Sequence, residues 1–307
     1  MRLGEGSTPV VSVTIGGRAV RAKLEYLAPT LSFKDRGAAV LVGLARAVGA
    51  TRLVADSSGN AGTALAAYAA RAGLRIEVVV SASTSPAKSA QMRAHGADVV
   101  TVDGDREAVA AEAIALVERT GAFYASHVYN PWFWEGTKEV VLELAASGSL
   151  PRLLVLPVGN GTLVLGAEVA LRELDALDRC RIVAVQAAGC APIAAAFTDG
   201  RDDVAPVTNA GTNAEGIAIA APARGAEVLA AVRATGGRIV TVTDDEAAAV
   251  GVELARQGLY VEPTAAAAAA GVLRLDEDEA ADALVPLCGA GLKSQISSSH
   301  TGERSTR

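Results

Sequence analysis

The feature that most constrains the fold is a regular alternation of short apolar runs with segments of helical spacing. Three apolar runs between residues 52 and 102 are each followed by such a segment, and the same order returns after residue 153. Apolar strands that alternate with helices indicate βαβ units around a buried parallel sheet. We therefore predict an α/β fold, with two series of such units and a cleft between them.

The boundaries of the predicted elements follow from hydrophobic spacing and from the positions of glycine and proline. Residues 10–15 and 18–25 flank Gly16 and Gly17, a pair that indicates a hairpin turn. The aromatic segment 126–134 interrupts the first series. The other predicted strands are 52–55, 75–80, 98–102, 153–156, 182–186, 238–242 and 283–287. The predicted helices are 38–48, 61–72, 86–95, 106–119, 135–146, 163–174, 244–257 and 263–275.

Composition and charge disfavour several classes of protein. The 307 residues include 28 basic and 34 acidic side chains, a net charge of −6, so the chain lacks the basic footprint of a nucleic-acid-binding protein. No apolar run is long enough to span a membrane, and the first residues lack the apolar core of a signal peptide. The three cysteines and three histidines show no metal-ligand spacing. We expect a reduced, cytoplasmic protein without a metal site, a membrane span or a nucleic-acid partner.

Lys34 is the candidate reactive residue. Pro29 disfavours helix at Ala28, so the following helix should begin after Pro29, with Lys34 at or near its first turn. The positive end of the helix dipole destabilises an ammonium group there, and a neutral amine is a good nucleophile towards an aldehyde. A lone lysine in a first helical turn is more often a surface charge, so the assignment depends on the loops around it.

Three glycine-containing loops follow predicted strands. Residues 56–62 (DSSGNAG) and 157–162 (PVGNGT) each enter a helix, whose first backbone N–H groups can bind an anion. Residues 287–293 (LCGAGLK) end a third strand, and the carboxyl ends of parallel strands open onto one ligand crevice. Taken singly, the first loop is also typical of a helix cap and the second of a tight turn. Cys288 in the third loop is also typical of a buried core thiol. Together with Lys34 they predict a phosphorylated aldehyde cofactor, bound to the lysine, beside a substrate that carries a carboxylate.

Four motifs resemble those of the fold-type II pyridoxal-phosphate enzymes. They are residues 32–37 (SFKDRG), 57–62 (SSGNAG), the glycine loop 159–162, and 262–264 (EPT). Threonine synthases look most similar, and serine/threonine dehydratases and cysteine synthases share the scaffold. The resemblance covers nearly the whole chain. It implies an α/β fold of the tryptophan synthase β type, with two three-layer α/β/α domains and mostly parallel sheets.

The same resemblance implies how the chain divides into domains. A smaller α/β domain, residues 23–147, is expected to carry Lys34 and the SSGNAG loop. A larger domain is expected to combine residues 1–22 with 148–296 and to carry the phosphate loop and the third glycine loop. Residues 297–307 are polar and are expected to form a flexible tail. A homodimer is the usual state of the family.

For the site, the resemblance implies pyridoxal 5′-phosphate as cofactor and an amino acid as substrate. Lys34 is expected to form the Schiff base with the cofactor and later to move protons. Cys288 is expected to face the pyridine nitrogen as a neutral partner, which suits elimination and replacement. The other cofactor contacts implied are Phe33 beside the ring, Asn60 at the 3′-oxygen, and Gly159, Asn160, Gly161 and Thr162 at the phosphate. The substrate contacts implied are Ser57, Ser58, Gly59, Ala61 and Asn130.

Three positions depart from the pattern of threonine synthases. Leu31 stands where these enzymes usually have glycine, and Cys288 stands where they usually have threonine. Trp132 and Phe133 follow the Asn-Pro pair, where many threonine synthases place an arginine that helps to hold the substrate phosphate. An apolar wall at that point favours a less charged leaving group.

The leading hypothesis is a pyridoxal-phosphate-dependent lyase of the threonine synthase type, which converts O-phosphohomoserine to threonine with Lys34 as the catalytic residue. The alternatives within the family are release of ammonia from serine or threonine, and β-replacement on an O-activated serine. A non-catalytic ligand-binding protein on the same scaffold has no need of the lysine or of Asn60. An NAD-dependent dehydrogenase is disfavoured because the chain lacks the glycine fingerprint with its downstream acidic residue.

Overall fold

The computed structural model describes residues 2–104 and 106–293, so the predicted flexible tail, 297–307, lies outside the described residues. Strands and helices alternate as predicted along both series. The strands are β1 (Val10–Ile15), β2 (Arg18–Lys23), β3 (Arg52–Ala55), β4 (Arg75–Ser81), β5 (Asp98–Val102), β6 (Phe123–Tyr124), β7 (Leu153–Pro157), β8 (Arg181–Ala187), β9 (Arg238–Val242) and β10 (Ala283–Pro286). The helices are α1 (Lys34–Ala47), α2 (Asn60–Ala72), α3 (Pro86–Ala94), α4 (Arg106–Thr120), α5 (Pro131–Thr137), α6 (Glu139–Ala146), α7 (Thr162–Glu173), α8 (Pro192–Thr198), α9 (Gly225–Ala234), α10 (Asp244–Arg256), α11 (Pro263–Ala270) and α12 (Glu277–Ala281).

The strands form two sheets, as the α/β prediction requires. The larger sheet has the order β1-β2-β10-β7-β8-β9, and the smaller has the order β5-β4-β3-β6. Only β1 and β2 pair antiparallel, as the predicted hairpin, with Val13 opposite Val20. All other strand pairs in the described part of the chain are parallel. The observed topology confirms the predicted fold class.

The distribution of strands along the chain bears on the predicted domains. Every strand of the smaller sheet lies between residues 52 and 124. The larger sheet takes its strands from residues 10–23 and 153–286, because β2 pairs with β10. The boundaries 23–147, and 1–22 with 148–296, stay predictions.

The core of the larger sheet shows why its central strands are uninterrupted apolar runs. All five residues of β7 are buried, because helices cover both faces of the sheet. On one face, the consecutive buried alanines of α11 let this helix approach the sheet closely. A Cβ on Gly271, which follows α11, would lie 2.5 Å from a methyl group of Val185, so this position must stay without a side chain. No helix in the described ranges is long and apolar enough to cross a membrane.

The structure differs from the predicted elements where helices end or turn. The predicted helix 263–275 is α-helical only to Ala270 and continues as the 3₁₀ turn Gly271–Arg274. The predicted helix 135–146 is divided into α5 and α6, and α5 already begins inside the aromatic segment. Its start follows local rules that the prediction overlooked, since Asn130 caps it and Pro131 occupies its first position. Strand β6 was also missed, because two residues carry too little periodicity.

Helices α1 and α5 cross with their backbones in contact. A Cβ on Gly136 of α5 would overlap the carbonyl oxygen of Arg36 in α1. A Cβ on Gly37 would overlap the ring of Phe133, which is completely buried. The two glycines therefore permit the crossing, and the crossing places Phe133 against the first turn of α1.

Candidate active site

Helix α1 begins at Lys34, four residues before the predicted helix 38–48, and this agrees with the expectation that Lys34 lies at or near the helix start. Neighbouring residues in the chain hold this start in place. The buried carboxylate of Asp35 accepts hydrogen bonds from the backbone N–H of Thr30 at 2.7 Å and from its hydroxyl at 2.6 Å. These bonds close the loop that precedes the helix. The hydrogen bonds between Asp35 and Thr30 therefore help to fix the backbone from which the Lys34 side chain extends.

A largely buried cluster of charges surrounds Arg36, two residues after the lysine. Arg36 Nε is 2.6 Å from Glu25 Oε2, and Arg36 Nη1 is 2.7 Å from Glu143 Oε1. Lys23 Nζ lies 2.7 Å from Glu143 Oε2. Burial raises the pKa of the Glu143 carboxyl, but hydrogen bonds from Arg36 and Lys23 outweigh it and lower the pKa from 4.5 to about 2. The cluster joins β2, α1 and α6, and sequence reasoning missed it because its members are remote in the chain.

Backbone hydrogen bonds join three segments near the lysine: the loop before α1, the loop after β10 and the residue before α11. The Phe33 N–H donates to the carbonyl of Cys288 at 3.0 Å, and the Ala290 N–H donates to the carbonyl of Leu31, also at 3.0 Å. The Glu262 N–H donates to the carbonyl of Gly289 at 2.9 Å. The loop after β10 is thus held between the lysine loop and the residue that precedes α11.

The amine of Lys34 faces the two predicted partners in the cofactor site. Its Nζ donates a hydrogen bond to Thr162 Oγ1 at 3.1 Å and lies 4.7 Å from the centre of the Phe33 ring. Burial lowers the pKa of Lys34 from 10.5 to about 8, although the charge of Glu262 opposes this shift. At pH 7 about one amine in ten is therefore neutral. Burial is the largest cause of this shift, whereas the sequence argument rested on the helix dipole.

The glycine loop between β7 and α7 has the geometry expected of an anion cradle. Gly161 has a φ of +88°, which glycine adopts without strain. A Cβ on Gly159 would lie 2.9 Å from the carbonyl oxygen of Gly216, so the loop packs closely there. Within residues 2–104 and 106–293, the N–H groups of residues 159–162 find no backbone acceptor. Unpaired N–H groups at a helix start attract a phosphate.

The SSGNAG loop folds back over the first turn of α2. A Cβ on Gly62 would overlap the carbonyl oxygen of Ser57, so only glycine fits. Asn60, the first residue of α2, reaches across and donates from Nδ2 to Glu262 Oε2 at 2.9 Å. Just before the loop, the buried Asp56 is held by Arg106 Nη2 at 2.6 Å. The loop is therefore supported on both sides, with Ser57 and Ser58 only partly buried.

The remaining predicted residues differ in how they are placed. Cys288 is buried, and its thiol lies 3.2 Å from the carbonyl oxygen of Pro286. Burial raises the pKa of Cys288 well above its usual value, so the thiol stays neutral. Ala61 is buried in the first turn of α2. The side chain of Asn130 accepts a hydrogen bond from the Trp132 N–H at 3.1 Å, so its oxygen is engaged in capping α5.

Two further residues near the lysine were not assigned a role from the sequence. Glu262 was noted only as part of a motif, and its bond to Asn60 could not be inferred from residues so far apart. His127 lies in the aromatic segment, with its ring 5.8 Å from that of Phe133. Burial, followed by the charges of Lys34 and Arg106, lowers the pKa of His127 well below 6.5. The imidazole is therefore neutral.

The geometry defines an α/β protein in which a lysine amine with a lowered pKa lies beside a candidate anion cradle. The family model for "Pyridoxal-phosphate dependent enzyme" matches residues 1–289 of this sequence. The chain belongs to that family, and its cofactor is pyridoxal 5′-phosphate. The predicted family and cofactor are both confirmed.

Proteins of similar sequence include several threonine synthases. The threonine synthase of Methanosarcina acetivorans is 34% identical over 287 residues, which cover 88% of this chain and 70% of that protein. The threonine synthase of Synechocystis sp. is 34% identical over 307 residues, which cover 94% of this chain and 77% of that protein. Both matches extend over most of the two chains compared.

Solved structures show the same fold. A threonine deaminase from T.th. superimposes with a TM-score of 0.79 at 26% identity, and the match covers 94% of both chains. Maize serine racemase has a TM-score of 0.82 at 22% identity, covering 93% of this chain and 88% of that one. At that identity the second comparison supports the fold alone.

The residues at the site fit the cofactor of the family. A phosphate suits the unpaired N–H groups of residues 159–162 at the start of α7. An aldehyde suits the Lys34 amine, whose pKa of about 8 leaves a neutral fraction near physiological pH. Thr162 joins the two, because it begins α7 and its hydroxyl accepts a hydrogen bond from Lys34.

Proposed function

We propose that the chain is a pyridoxal-phosphate-dependent lyase of the threonine synthase type, which converts O-phosphohomoserine and water to threonine and phosphate. The observation that carries the proposal is the hydrogen bond of 3.1 Å between Lys34 and Thr162, which brings the amine to the phosphate cradle. Identity of 34% to threonine synthases over most of the chain supports the choice of substrate.

We propose the following cofactor contacts. Lys34 holds the cofactor covalently, and Phe33 packs beside its ring. Asn60 donates a hydrogen bond to its 3′-oxygen, and Cys288 faces the pyridine nitrogen as a neutral thiol. When bound, the cofactor supplies an electron sink for the α-carbon of the amino acid. The residues proposed to bind its phosphate are Gly159, Asn160, Gly161 and Thr162.

We propose that Lys34 also moves the protons of the reaction. Its free amine would take the proton from the α-carbon of the bound amino acid and return it later, because a pKa of about 8 suits a base near neutral pH. The N-terminus of α2 holds the substrate carboxylate through backbone N–H groups and hydroxyls. The residues proposed for substrate binding are Ser57, Ser58, Gly59, Ala61 and Asn130.

Phe133 favours a second candidate reaction. Its ring centre lies 5.6 Å from Lys34 Nζ, and the side chain is completely buried. It lies shortly after the Asn-Pro pair, where the resemblance implies an arginine for the substrate phosphate. A buried aromatic ring provides no hydrogen bond for a dianion, so the second candidate is an elimination from serine or threonine, or a replacement on an O-activated serine.

An assay with several substrates separates the two candidates. The cofactor-loaded protein is incubated with O-phosphohomoserine, serine, threonine or O-acetylserine plus sulfide, with the Lys34→Ala variant as control. Threonine and phosphate in equal amounts from O-phosphohomoserine support the first candidate. Keto acid and ammonia from serine or threonine, or cysteine from O-acetylserine, without release of phosphate from O-phosphohomoserine, contradict the first candidate and support the second.

We also propose, from the resemblance, that the chain forms a homodimer and works in the cytoplasm. Light scattering of the cofactor-loaded protein during gel filtration measures its mass against the 31.0 kDa of one chain. A mass of a single chain at micromolar concentration contradicts the dimer. Cell fractionation with an antibody against the chain tests the location.

A further inference from the structure

The hydrogen bond between Asn60 and Glu262 connects two elements that are remote in the chain. Asn60 begins α2, which follows a strand of the smaller sheet, and Glu262 precedes α11, which packs on the larger sheet. The donor is Asn60 Nδ2, and the acceptor, Glu262 Oε2, lies 2.9 Å away. An ionised carboxylate can only accept hydrogen bonds. The amide of Asn60 must therefore turn its NH₂ group, and not its oxygen, towards Glu262.

The position of Glu262 is itself fixed by its surroundings. Its backbone N–H donates to the carbonyl of Gly289 at 2.9 Å, and a Cβ on Gly289 would overlap the Glu262 carboxylate. Glu262 is the N-cap residue of α11, yet its side chain makes no capping hydrogen bond. A carboxylate at an N-cap ordinarily accepts from the first turn of its own helix. Here it extends across the site to Asn60 instead.

The carboxylate of Glu262 also faces the reactive groups. Its charge opposes the effect of burial on the pKa of Lys34, and it helps burial to raise the pKa of Cys288. Burial is the largest cause of the lowered pKa of His127, which also lies close enough for the charge of Lys34 to lower it. Glu262 therefore lies among the groups proposed to surround the cofactor ring, with Asn60 as its hydrogen-bond partner.

We propose that Glu262 is a positioning residue that holds the Asn60 amide with its NH₂ group directed into the cofactor site. The inference rests on the proposed role of Asn60 as donor to the 3′-oxygen of the cofactor. A reversed amide presents its carbonyl oxygen to that oxygen, and the two repel each other. The carboxylate prevents the reversal because it accepts from nitrogen and repels the amide oxygen. Glu262 thus acts on the cofactor through Asn60.

The test is a thermodynamic cycle on cofactor binding with the Glu262→Gln and Asn60→Ala variants. Glutamine keeps the shape of glutamate, but its amide can donate as well as accept, so it no longer selects one orientation of Asn60. We expect Glu262→Gln to weaken pyridoxal-phosphate affinity about tenfold, the effect of one charge-assisted hydrogen bond. The circular dichroism of the visible cofactor band should also decrease, because the ring is held less firmly.

The double variant distinguishes an action through Asn60 from a separate contribution. If Glu262 acts through Asn60, adding Glu262→Gln to Asn60→Ala weakens binding no further at a pH well above 8, where Lys34 is neutral with or without the Glu262 charge. Additive losses in the double variant contradict the proposal, and so does unchanged affinity of Glu262→Gln. The exposed Glu118 on α4 provides the matched control, because Glu118→Gln removes the same charge and should leave affinity unchanged.

A shorter carboxylate gives an independent measurement in case Glu262→Gln does not fold. Glu262→Asp keeps the charge but withdraws it by one methylene group, so we expect weaker affinity with little change in the pH midpoint of the cofactor band. Affinity equal to that of the unmodified chain contradicts the proposal. The two proposals can fail separately. If no threonine forms but the effects of Glu262→Gln and Asn60→Ala on affinity are not additive, the proposed function is contradicted and the role of Glu262 is still supported.

Discussion

The carbonyl oxygen of Leu31 accepts a hydrogen bond from the backbone N–H of Ala290 at 3.0 Å, while Leu31 itself holds a φ of +68°. This bond joins the lysine loop to the loop after β10. For a residue with a Cβ, the left-handed conformation costs about 1–2 kcal/mol. The departure from the usual glycine at position 31 therefore leaves local strain three residues before the reactive lysine.

Replacement of Leu31 by glycine should cost little stability. Relief of the left-handed strain offsets the loss of a partly buried side chain, so we expect a change in the free energy of unfolding within about 1 kcal/mol of zero. Leu44 is the matched control, because it is also partly buried but lies in the regular part of α1. Leu44→Gly should cost about 2 kcal/mol in urea unfolding. Equal decreases in the free energy of unfolding for the two variants would contradict the proposal that Leu31 is strained.

The crossing of α1 and α5 should tolerate no side chain at position 136. A methyl group on Gly136 overlaps the backbone oxygen of Arg36, which cannot move without shifting α1. We expect Gly136→Ala to lower the free energy of unfolding by about 3 kcal/mol. Gly43 of α1 has no atom within 4 Å of a Cβ, so Gly43→Ala should raise it by about 0.5–1 kcal/mol. An unchanged free energy of unfolding in Gly136→Ala would show that the two helices can move apart.

Attachment of the cofactor should depend on the titration of Lys34. Only the neutral amine attacks an aldehyde, and burial lowers the pKa of Lys34 to about 8. The rate at which cofactor-free protein regains its visible band should therefore rise about tenfold per pH unit below pH 8 and level off above it. Stopped-flow absorbance from about pH 6 to about pH 10 measures the pH at which this rate reaches half its maximum. For an unperturbed lysine this pH is about 10.5. Lys34→Ala should give no lysine Schiff-base band at any pH.

Acid should remove part of the stability supplied by the buried charge cluster. The pKa of the Glu143 carboxyl is lowered from 4.5 to about 2 in the folded chain. On acidification, the folded state therefore binds this proton at a lower pH than the unfolded state does. This contribution is fully present above pH 4.5 and is lost as the pH falls through about 2. We expect the urea midpoint to fall over this range, and to fall less in Glu143→Gln. The Glu118→Gln variant should keep the slope of the unmodified chain.

Local patterns in the sequence were sufficient for the order of elements and for the candidate loops. The spacing of apolar residues predicted most strands and helices, and Pro29 placed the start of α1 close to Lys34, where it is observed. Glycines at strand ends marked the loops that meet at the lysine. These features depend on residues close together in the chain, so hydrophobic periodicity and backbone conformation are enough to reveal them.

Contacts between remote residues could not be read in this way. Glu25, Arg36 and Glu143 form one buried cluster although no local pattern relates them. The same holds for the bond between Asn60 and Glu262. A charged residue in a sequence gives no sign of whether it will be exposed or buried with partners, because that depends on which surfaces the fold brings together.

By itself, the sequence determined the α/β class, the positions of the candidate anion-binding loops and the resemblance that points to pyridoxal phosphate. Only the tertiary structure decided that Lys34 faces Thr162, that Phe133 packs beside the amine and that Glu262 reaches Asn60. The physical reason is that periodicity and turn chemistry act over a few residues. The lowered pKa of Lys34 and the orientation of an amide depend on burial and on partners that the chain brings together only when both sheets have formed.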